Sequence, residues 1–218
     1  MPFSDRTEWH FPAYDKHRLV GEITRNSDDL VDAVTHIQAH GHQFRSCVQA
    51  GGAVGVWPIG LATVFERVYT FEPDPVNYGC LNRNTEGVSR LRRFPLGLWH
   101  ESSKGVVCND EPDNAGAGYV VDAENSGDSW VCALITIDSM NLKDCDLIYL
   151  DIEGAETNAL MGAVETIERC RPLIGIEDKK QPLWQRFGHE RSPVDMLVDE
   201  FEYVELERYH LDVLLGPK

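Results

Sequence analysis

The fold of this chain is decided by nine residues, Cys47-Val48-Gln49-Ala50-Gly51-Gly52-Ala53-Val54-Gly55. The first four are typical of a buried β-strand, and a helix is predicted after the glycines, with Pro58 tolerated in its first turn. Glycines at such a turn let the backbone come close to a ligand, and the helix N-terminus offers free N–H groups. The pattern equally suits a tight turn that binds nothing, so the segment alone leaves both interpretations open.

A second signal lies at the end of the next predicted strand, Arg67–Phe71, where the chain continues as Glu72-Pro73. Glu72 follows Gly51 by 21 positions. In nucleotide-binding α/β folds, an acid at this place accepts hydrogen bonds from ribose hydroxyls. A dinucleotide fingerprint also needs the spacing G-x-G-x-x-G to seat a pyrophosphate, and this turn lacks that spacing. The pair itself does not distinguish NAD from S-adenosylmethionine (SAM), but the glycine spacing favours SAM, which carries no phosphate.

Further strands and helices alternate along the chain. Helices are predicted over 27–39, with Ser27 as N-cap, and over 75–84, 155–169 and 193–200; strands are predicted over 91–96, 146–151, 172–177, 201–207 and 210–215. Near-continuous apolar strands separated by helices are typical of a mostly parallel sheet covered on both faces. Residues 98–132 are rich in Gly, Asn, Asp and Ser and predict a β-hairpin insertion. We therefore expect a Rossmann-like α/β fold with a seven-stranded sheet, in which residues 1–26 form an N-terminal arm or lid and residues 27–218 the ligand-binding domain.

Four segments together resemble the FkbM family of SAM-dependent methyltransferases. They are Val48–Gly55, Phe71–Tyr78 with Leu81 and Asn84, Leu150–Glu156, and Arg171–Glu177. The similarity runs in order from about residue 46 to residue 180, and the FEPxPxNY and DxEGAE patterns are specific together. The resemblance implies a class I methyltransferase fold, SAM as cofactor and, for most members, O-methylation of sugars or natural-product hydroxyls.

The resemblance also implies roles for individual residues. Gly51 and Gly55 would approach the methionine part of SAM, Glu72 would hold the ribose hydroxyls, and Leu96-Gly97 would lie beside the adenine. The cofactor-binding residues expected on this basis are Gln49, Ala50, Gly51, Gly55, Glu72, Pro73, Leu96, Gly97 and Asp151. The chain departs from the family pattern at Gln49, which is usually Asp, and at Tyr149, which is often Lys. Gln49 keeps its hydrogen-bonding capacity but lacks the charge that would favour the ammonium group of SAM.

Methyl transfer to oxygen needs an acceptor held in line with the methyl group and a base that removes its proton. Asp151 and Glu153 are the candidate bases, because they follow a strand end and strand C-termini form the ligand crevice of open α/β sheets. The alternatives are that Asp151 caps the next helix and that Glu153 is an acid that the helix dipole favours at the start of a helix. His100 is a further candidate, as a base or a substrate contact, against the alternative of a plain loop histidine.

Asp151, Glu153 and Glu177 would also suit a divalent cation, which prefers oxygen ligands. Scattered carboxylates are expected in so acidic a chain, which has 36 Asp and Glu against 20 Lys and Arg and a net charge of −16. No metal site is therefore predicted. Binding to duplex nucleic acid normally depends on clustered Lys and Arg, so bulk DNA or RNA is not an expected partner. A neutral acceptor, such as a glycan or another small molecule, suits this charge better.

The location of the protein is predicted from three further features. The first residues lack an apolar core of signal-peptide length, and no run approaches the roughly 18 apolar residues of a membrane span. The six cysteines are scattered without C-x-x-C spacing, which is typical of a reducing compartment. We expect a cytoplasmic enzyme without a membrane partner.

The sequence therefore predicts a SAM-dependent methyltransferase that acts on a hydroxyl of a sugar, glycan or small natural product. The alternative is a noncatalytic SAM-binding or scaffold protein that has kept the fold, which Gln49 and Tyr149 bring into consideration. A third interpretation, an NAD-dependent dehydrogenase, is disfavoured by the glycine spacing.

Overall fold

A computed structural model of the chain describes residues 9–16, 20–123, 130–179 and 182–218. The helices are α1 Val20–His40, α2 Val56–Val64, α3 Pro75–Asn84, α4 Glu156–Met161, α5 Val164–Cys170 and α6 Pro193–Phe201. The strands are β1 Ser46–Ala50, β2 Arg67–Phe71, β3 Leu91–Phe94, β4 Leu96–Leu98, β5 Ser103–Asn109, β6 Gly118–Asp122, β7 Trp130–Ile135, β8 Leu147–Leu150, β9 Leu173–Glu177, β10 Tyr203–Tyr209 and β11 Asp212–Pro217. Within these ranges, every helix is too short or too polar to cross a bilayer.

The central sheet has seven strands in the order β3-β2-β1-β8-β9-β11-β10. Strand β11 runs antiparallel to both of its neighbours, and the other pairings are parallel. The register places Ala50, at the end of β1, opposite both Phe71 and Leu150, at the ends of β2 and β8. The predicted seven-stranded, mostly parallel sheet is confirmed, and the residues that follow these strands meet at one edge.

Helices cover both faces of this sheet because the apolar side chains of the strands alternate between two cores. Val48, Ala50, Ile148 and Leu150 face the core under α4, α5 and α6. The intervening positions of the same strands face the core under α1 and α2, which contains Cys47, Leu147, Tyr149, Ala33, Ile37 and Leu61. A strand with apolar residues on both faces has the near-continuous apolar run from which it was predicted.

The insertion is larger than the predicted hairpin. β5 and β6 form an antiparallel hairpin, and they belong to a second, four-stranded sheet in the order β4-β7-β5-β6. The predicted strand 91–96 is also divided, since β3 ends at Phe94 and β4 begins at Leu96. The residue between them is Pro95, which has no N–H to donate to a ladder. The chain leaves the main sheet at this point and enters the second one.

Two helices differ from their predicted bounds. Helix α1 begins at Val20, seven residues before the predicted cap at Ser27, so the proposed division at residue 26 falls within a continuous helix. The predicted helix 155–169 is two helices, α4 and α5, which are separated by Gly162. A Cβ atom at Gly162 would lie 2.0 Å from the carbonyl oxygen of Trp99, so the close packing of that loop requires glycine here. Residues 1–8 and 17–19 of the expected arm lie outside the described residues.

Candidate active site

A cavity of about 210 Å³ opens where β1, β2 and β8 end, beneath the β5–β6 hairpin. Seven of the residues expected to bind a cofactor line it, namely Ala50, Gly51, Glu72, Pro73, Leu96, Gly97 and Asp151. Four expected site residues do not line it, namely Gln49, Gly55, Glu153 and His100. The cavity thus collects the tips of three neighbouring strands, which is the ligand crevice of open α/β sheets.

The glycine turn is held tightly against the end of β8. Gly51 has a φ of 85°, and a Cβ atom on it would lie 1.9 Å from the carbonyl oxygen of Asp151. The N–H groups of Gly51 and Gly52 both donate to the carbonyl of Phe71, at 3.2 and 2.9 Å. Glycine is therefore required at position 51 by a neighbouring strand as well as by the turn itself. Gly55 has a φ of 104° and is the N-cap of α2, which starts without a side-chain cap.

Glu72 is 6% exposed and lies beside this turn. Its two carboxylate oxygens accept hydrogen bonds from the backbone N–H groups of Ala53, at 2.7 Å, and Asp74, at 2.9 Å. Burial raises the pKa of Glu72 to about 7, although these two N–H groups oppose the shift. Each carboxylate oxygen has lone pairs beyond the one used, so Glu72 keeps acceptor capacity toward the cavity.

Gln49 is 1% exposed and points away from the cavity into the sheet. Its amide donates to the carbonyls of Ala50, at 3.1 Å, and Gly51, at 3.0 Å, and its oxygen accepts from the Thr70 hydroxyl at 2.5 Å. The hydrogen bonds of this side chain are thus made within the protein, to the glycine turn and to β2. Contact between Gln49 and a ligand is not what this geometry favours.

The other side of the cavity is built by residues that the sequence analysis did not assign to a cofactor. Val107, Val120 and Tyr119 line it from the β5–β6 hairpin. Asn77 of α3 also lines it, and the Asn77 side chain donates to the carbonyl of Ala115 at 2.9 Å. This bond ties the hairpin to the helix that follows Glu72. The β5–β6 hairpin therefore covers the Glu72 end of the cavity.

Three carboxylates and one lysine gather beyond the end of β8. Asp151, Glu153 and Glu177 each offer an oxygen, and these atoms lie within 4.8 Å of one another. The Lys179 ammonium donates to Glu153 at 2.6 Å and lies 2.9 Å from Glu177. Burial raises the pKa of Asp151 well above its usual range, and the neighbouring Glu177 raises it further. Of the three acids, Asp151 is the one that lines the cavity.

The turn after β8 is strained and is supported from below. Glu153 has a φ of 57°, and Gly154 has a φ of 101°. Glu156 is buried at 3% exposure and accepts hydrogen bonds from the N–H groups of Ile152 and Gly154. Burial raises its pKa to about 7. Glu156 is therefore a structural residue that fixes the turn carrying Asp151 and Glu153.

His100 lies on the surface near the cavity but outside its wall. Its side chain is 38% exposed and lies 3.9 Å from the Glu101 carboxylate. The preceding residue, Trp99, is buried against Phe187 and Ala155. No described contact brings His100 to Asp151, so its suggested role as a base stays a prediction.

The charge of the cavity wall has one sign. Its ionisable carboxylates are Glu72, Asp74 and Asp151, and none of the described residues that line it is Lys, Arg or His. Asp74 is partly engaged, because it caps α3 by accepting from the N–H groups of Val76 and Asn77. Such a wall favours a cationic or neutral ligand and disfavours a phosphate.

Comparison with known proteins adds a family and a fold. Residues 63–209 match the family described as the Methyltransferase FkbM domain. Curated proteins give no match to the sequence. The glycine turn lies upstream of the matched residues, and Glu72, Asp151, Glu153 and Glu177 lie within them.

Solved structures share the fold at low sequence identity. The FkbM methyltransferase of Methylobacillus flagellatus has 18% identity and a TM-score of 0.53 over 88% of this chain and 57% of its own, so this chain spans little more than half of that protein. An O-methyltransferase from Bacillus cereus, solved in complex with SAH, has 13% identity and a TM-score of 0.51 over 95% of this chain and 84% of its own. The N-methyltransferase NodS from Bradyrhizobium japonicum has 12% identity and a TM-score of 0.50 over 91% of this chain and 99% of its own.

Proposed function

Because the chain belongs to the FkbM methyltransferase family, we propose that it binds SAM in the cavity beside Glu72 and methylates a hydroxyl group. The acceptor we propose is a sugar, a glycan or a small natural product. The observation that carries the proposal is the cavity wall, where a glycine turn and two carboxylates, Glu72 and Asp151, meet at the strand tips without a described cationic residue.

The residues of this wall fit SAM in their chemistry. SAM carries a sulfonium cation and no phosphate, so a wall whose described residues include carboxylates but no Lys or Arg suits it. A pyrophosphate would instead need N–H groups or cations around it. In our proposal, Ala50 and Gly51 would hold the methionine part of SAM, and Glu72, beside Pro73, would accept hydrogen bonds from the ribose hydroxyls. Leu96-Gly97 and the apolar residues Val107 and Val120 of the hairpin would hold the adenine.

Asp151 is the base in this proposal. When bound, SAM would supply a methyl group on a positively charged sulfur, and SAH would leave with the electron pair of the broken carbon–sulfur bond. The acceptor oxygen forms the new bond to carbon, and its proton passes to the Asp151 carboxylate. A carboxylate whose pKa is raised by burial holds that proton more firmly than an exposed one. Glu153, which Lys179 holds outside the cavity wall, is the weaker candidate.

The alternative of a noncatalytic SAM-binding protein rested on Gln49 and Tyr149. Both side chains face the interior of the protein, since Gln49 bonds to the glycine turn and Tyr149 is fully buried against Trp57, with ring centroids 4.8 Å apart. Neither residue lines the cavity. The two departures from the family pattern therefore leave the wall groups intact, which favours the enzyme.

Calorimetry and methyl-transfer assays test the proposal together. We expect S-adenosylhomocysteine (SAH) to bind and NAD not to bind, and we expect labelled methyl to pass from SAM to a member of a panel of neutral hydroxyl acceptors. Asp151→Asn should lower kcat about 10²- to 10⁴-fold and leave the Kd for SAH within about threefold. The matched control is Asp199→Asn, at an exposed pair with Arg191. Preferential binding of NAD contradicts the proposal, and SAH binding without transfer to any acceptor supports the scaffold instead.

A further inference from the structure

Lys179 occupies an unusual place among the acids beside the cavity. It follows β9 by two residues, and its ammonium contacts Glu153 from the turn after β8 and Glu177 from the end of β9. The side chains of these two acids are 16% and 15% exposed, and that of Lys179 is 29% exposed. The ammonium is therefore held between two strand ends by two largely buried partners.

We propose that Lys179 is a positioning residue for methyl transfer. Its ammonium is the built-in counter-ion of the carboxylate cluster, and it holds Glu153 and Glu177 so that Asp151 alone faces the cavity as a base. This inference rests on the proposed function only in that it takes Asp151 as the base. The arrangement of the four groups is given by the geometry itself.

The reason is electrostatic. Three carboxylates with oxygens within 4.8 Å of one another repel, and a like charge at this range disfavours ionisation of each of them. Lys179 contacts two of these carboxylates at hydrogen-bonding distance, and its positive charge offsets one of the three negative charges. Without it, Asp151 would keep its proton to higher pH and would be a base in a smaller fraction of molecules.

The surroundings of Asp151 contain few other charges that could replace this ammonium. Glu177 and Lys179 face Asp151 from β9 and the residues after it, and Glu153 faces it from its own turn. Arg186 acts on Glu153 from the 3-10 turn Leu183–Phe187, but its guanidinium pairs with Asp110 at 3.2 Å and lies over the Tyr119 ring. Glu156, below the turn, adds no positive charge. Among the described residues, Lys179 is thus the cation that lowers the proton affinity of Asp151.

The same contacts bear on the metal alternative. Two of the three acids that would form a divalent site are the partners of Lys179. A divalent ion ligated by all three would share two of its ligands with the ammonium, and the two positive charges would repel each other at that distance. The cluster is therefore arranged around an internal cation.

The test follows the titration of Asp151 directly, and it is independent of turnover. The protein is labelled with carboxyl-¹³C aspartate, and the Asp151 signal is assigned by its absence in Asp151→Asn. We expect Lys179→Met to raise the Asp151 titration midpoint by about one pH unit and Glu177→Gln to lower it by a similar amount. Lys179→Arg, which keeps the charge, should leave it within about 0.3 pH units of the wild type.

The matched control is Lys143→Met, which removes an exposed lysine before the amino end of β8, opposite the end at which Asp151 lies. In the full enzyme, the acid limb of the kcat–pH profile should move in the same directions as the NMR midpoints, while the Kd for SAH stays within about twofold. If Lys179 had a purely structural role, Lys179→Met and Glu177→Gln would not be expected to shift the Asp151 midpoint in opposite directions.

Three outcomes separate the claims. An Asp151 midpoint that does not rise in Lys179→Met overturns the proposal, and Lys179→Gln takes the place of that variant if Lys179→Met does not fold. The proposal is also overturned if the NMR midpoints shift as expected while the kcat–pH profile stays fixed. In that case Lys179 would control the titration of Asp151, but Asp151 would not be the base. Absence of any methyl transfer by the wild-type protein counts against the proposed function, whatever the NMR midpoints show.

Discussion

Replacement of Glu72 by alanine tests the cofactor site at the residue that the fold presents most rigidly. The carboxylate is 6% exposed and is fixed by the N–H groups of Ala53, at 2.7 Å, and Asp74, at 2.9 Å. Glu72→Ala removes an acceptor for the ribose hydroxyls and leaves those two N–H groups without their partner. An unmet buried polar group costs about 1–3 kcal/mol, so the Kd for SAH should rise about 5- to 150-fold.

The assay is calorimetry with SAH at pH 8, where a carboxyl with a pKa of about 7 is mostly ionised. The matched control is Glu66→Ala, an exposed acid just before the amino end of β2, whereas Glu72 follows the carboxyl end of the same strand. Glu66→Ala should leave the Kd unchanged. A thermal unfolding curve shows whether Glu72→Ala is folded at the assay temperature. A folded Glu72→Ala variant with a Kd within twofold of the wild type would remove Glu72 from the site and refute the reasoning.

Three more outcomes are expected. Gly51→Ala should lower the free energy of unfolding in urea by about 2–4 kcal/mol, because the new Cβ atom would lie 1.9 Å from the Asp151 carbonyl oxygen. Gly79→Ala, at a position in α3 with open space around it, should raise the free energy of unfolding by about 0.5–1 kcal/mol. Equal effects of the two substitutions would contradict the steric argument. Burial raises the pKa values of Glu72, Glu156 and Asp212 to about 7, above their values in the unfolded chain, so their contribution to stability is complete below about pH 4 and is lost as the pH rises through 7. The free energy of unfolding should therefore fall between about pH 4 and pH 7, and it should fall less steeply in Glu156→Gln. A rise over this pH range would refute the reasoning. EDTA should leave the methyl-transfer rate unchanged, and restoration of a lost rate by Mg²⁺ would show that a metal is used.

Much of the fold could be predicted because its strands are buried on both faces. Residues 47–50 and 147–150 alternate between two apolar cores, and this produces apolar runs that local sequence reveals. The breaks in the elements depend on distant contacts. Gly162 divides α4 from α5 because the main chain of Trp99 passes against it, and Trp99 is remote in sequence. The second sheet likewise forms from β4 and β7, which are separated by more than 30 residues.

The position of Glu72 and Asp151 at one edge followed from parallel strand direction alone. The orientation of individual side chains could not be predicted from strand direction. Gln49 and Thr70 are register partners on β1 and β2, and their hydrogen bond turns the amide away from the cavity. Lys179 lies 26 residues after Glu153 in a segment without a recognised motif, so its contact with that acid depends on where β8 and β9 end relative to one another. Such contacts depend on tertiary packing, and the local sequence around each residue does not reveal them.

The glycine turn belongs both to the packing of the sheet and to the candidate site. Gly51 is usually explained by the approach of a ligand, but here the carbonyl of Asp151 already occupies the space that a side chain would need. The N–H of Asp151 in turn donates to the carbonyl of Ala50 at 3.2 Å. The residue proposed as the base is therefore packed directly against the turn proposed to hold the cofactor. A substitution at Gly51 should consequently disturb the titration of Asp151 as well as SAH binding, because one steric contact fixes both parts of the site.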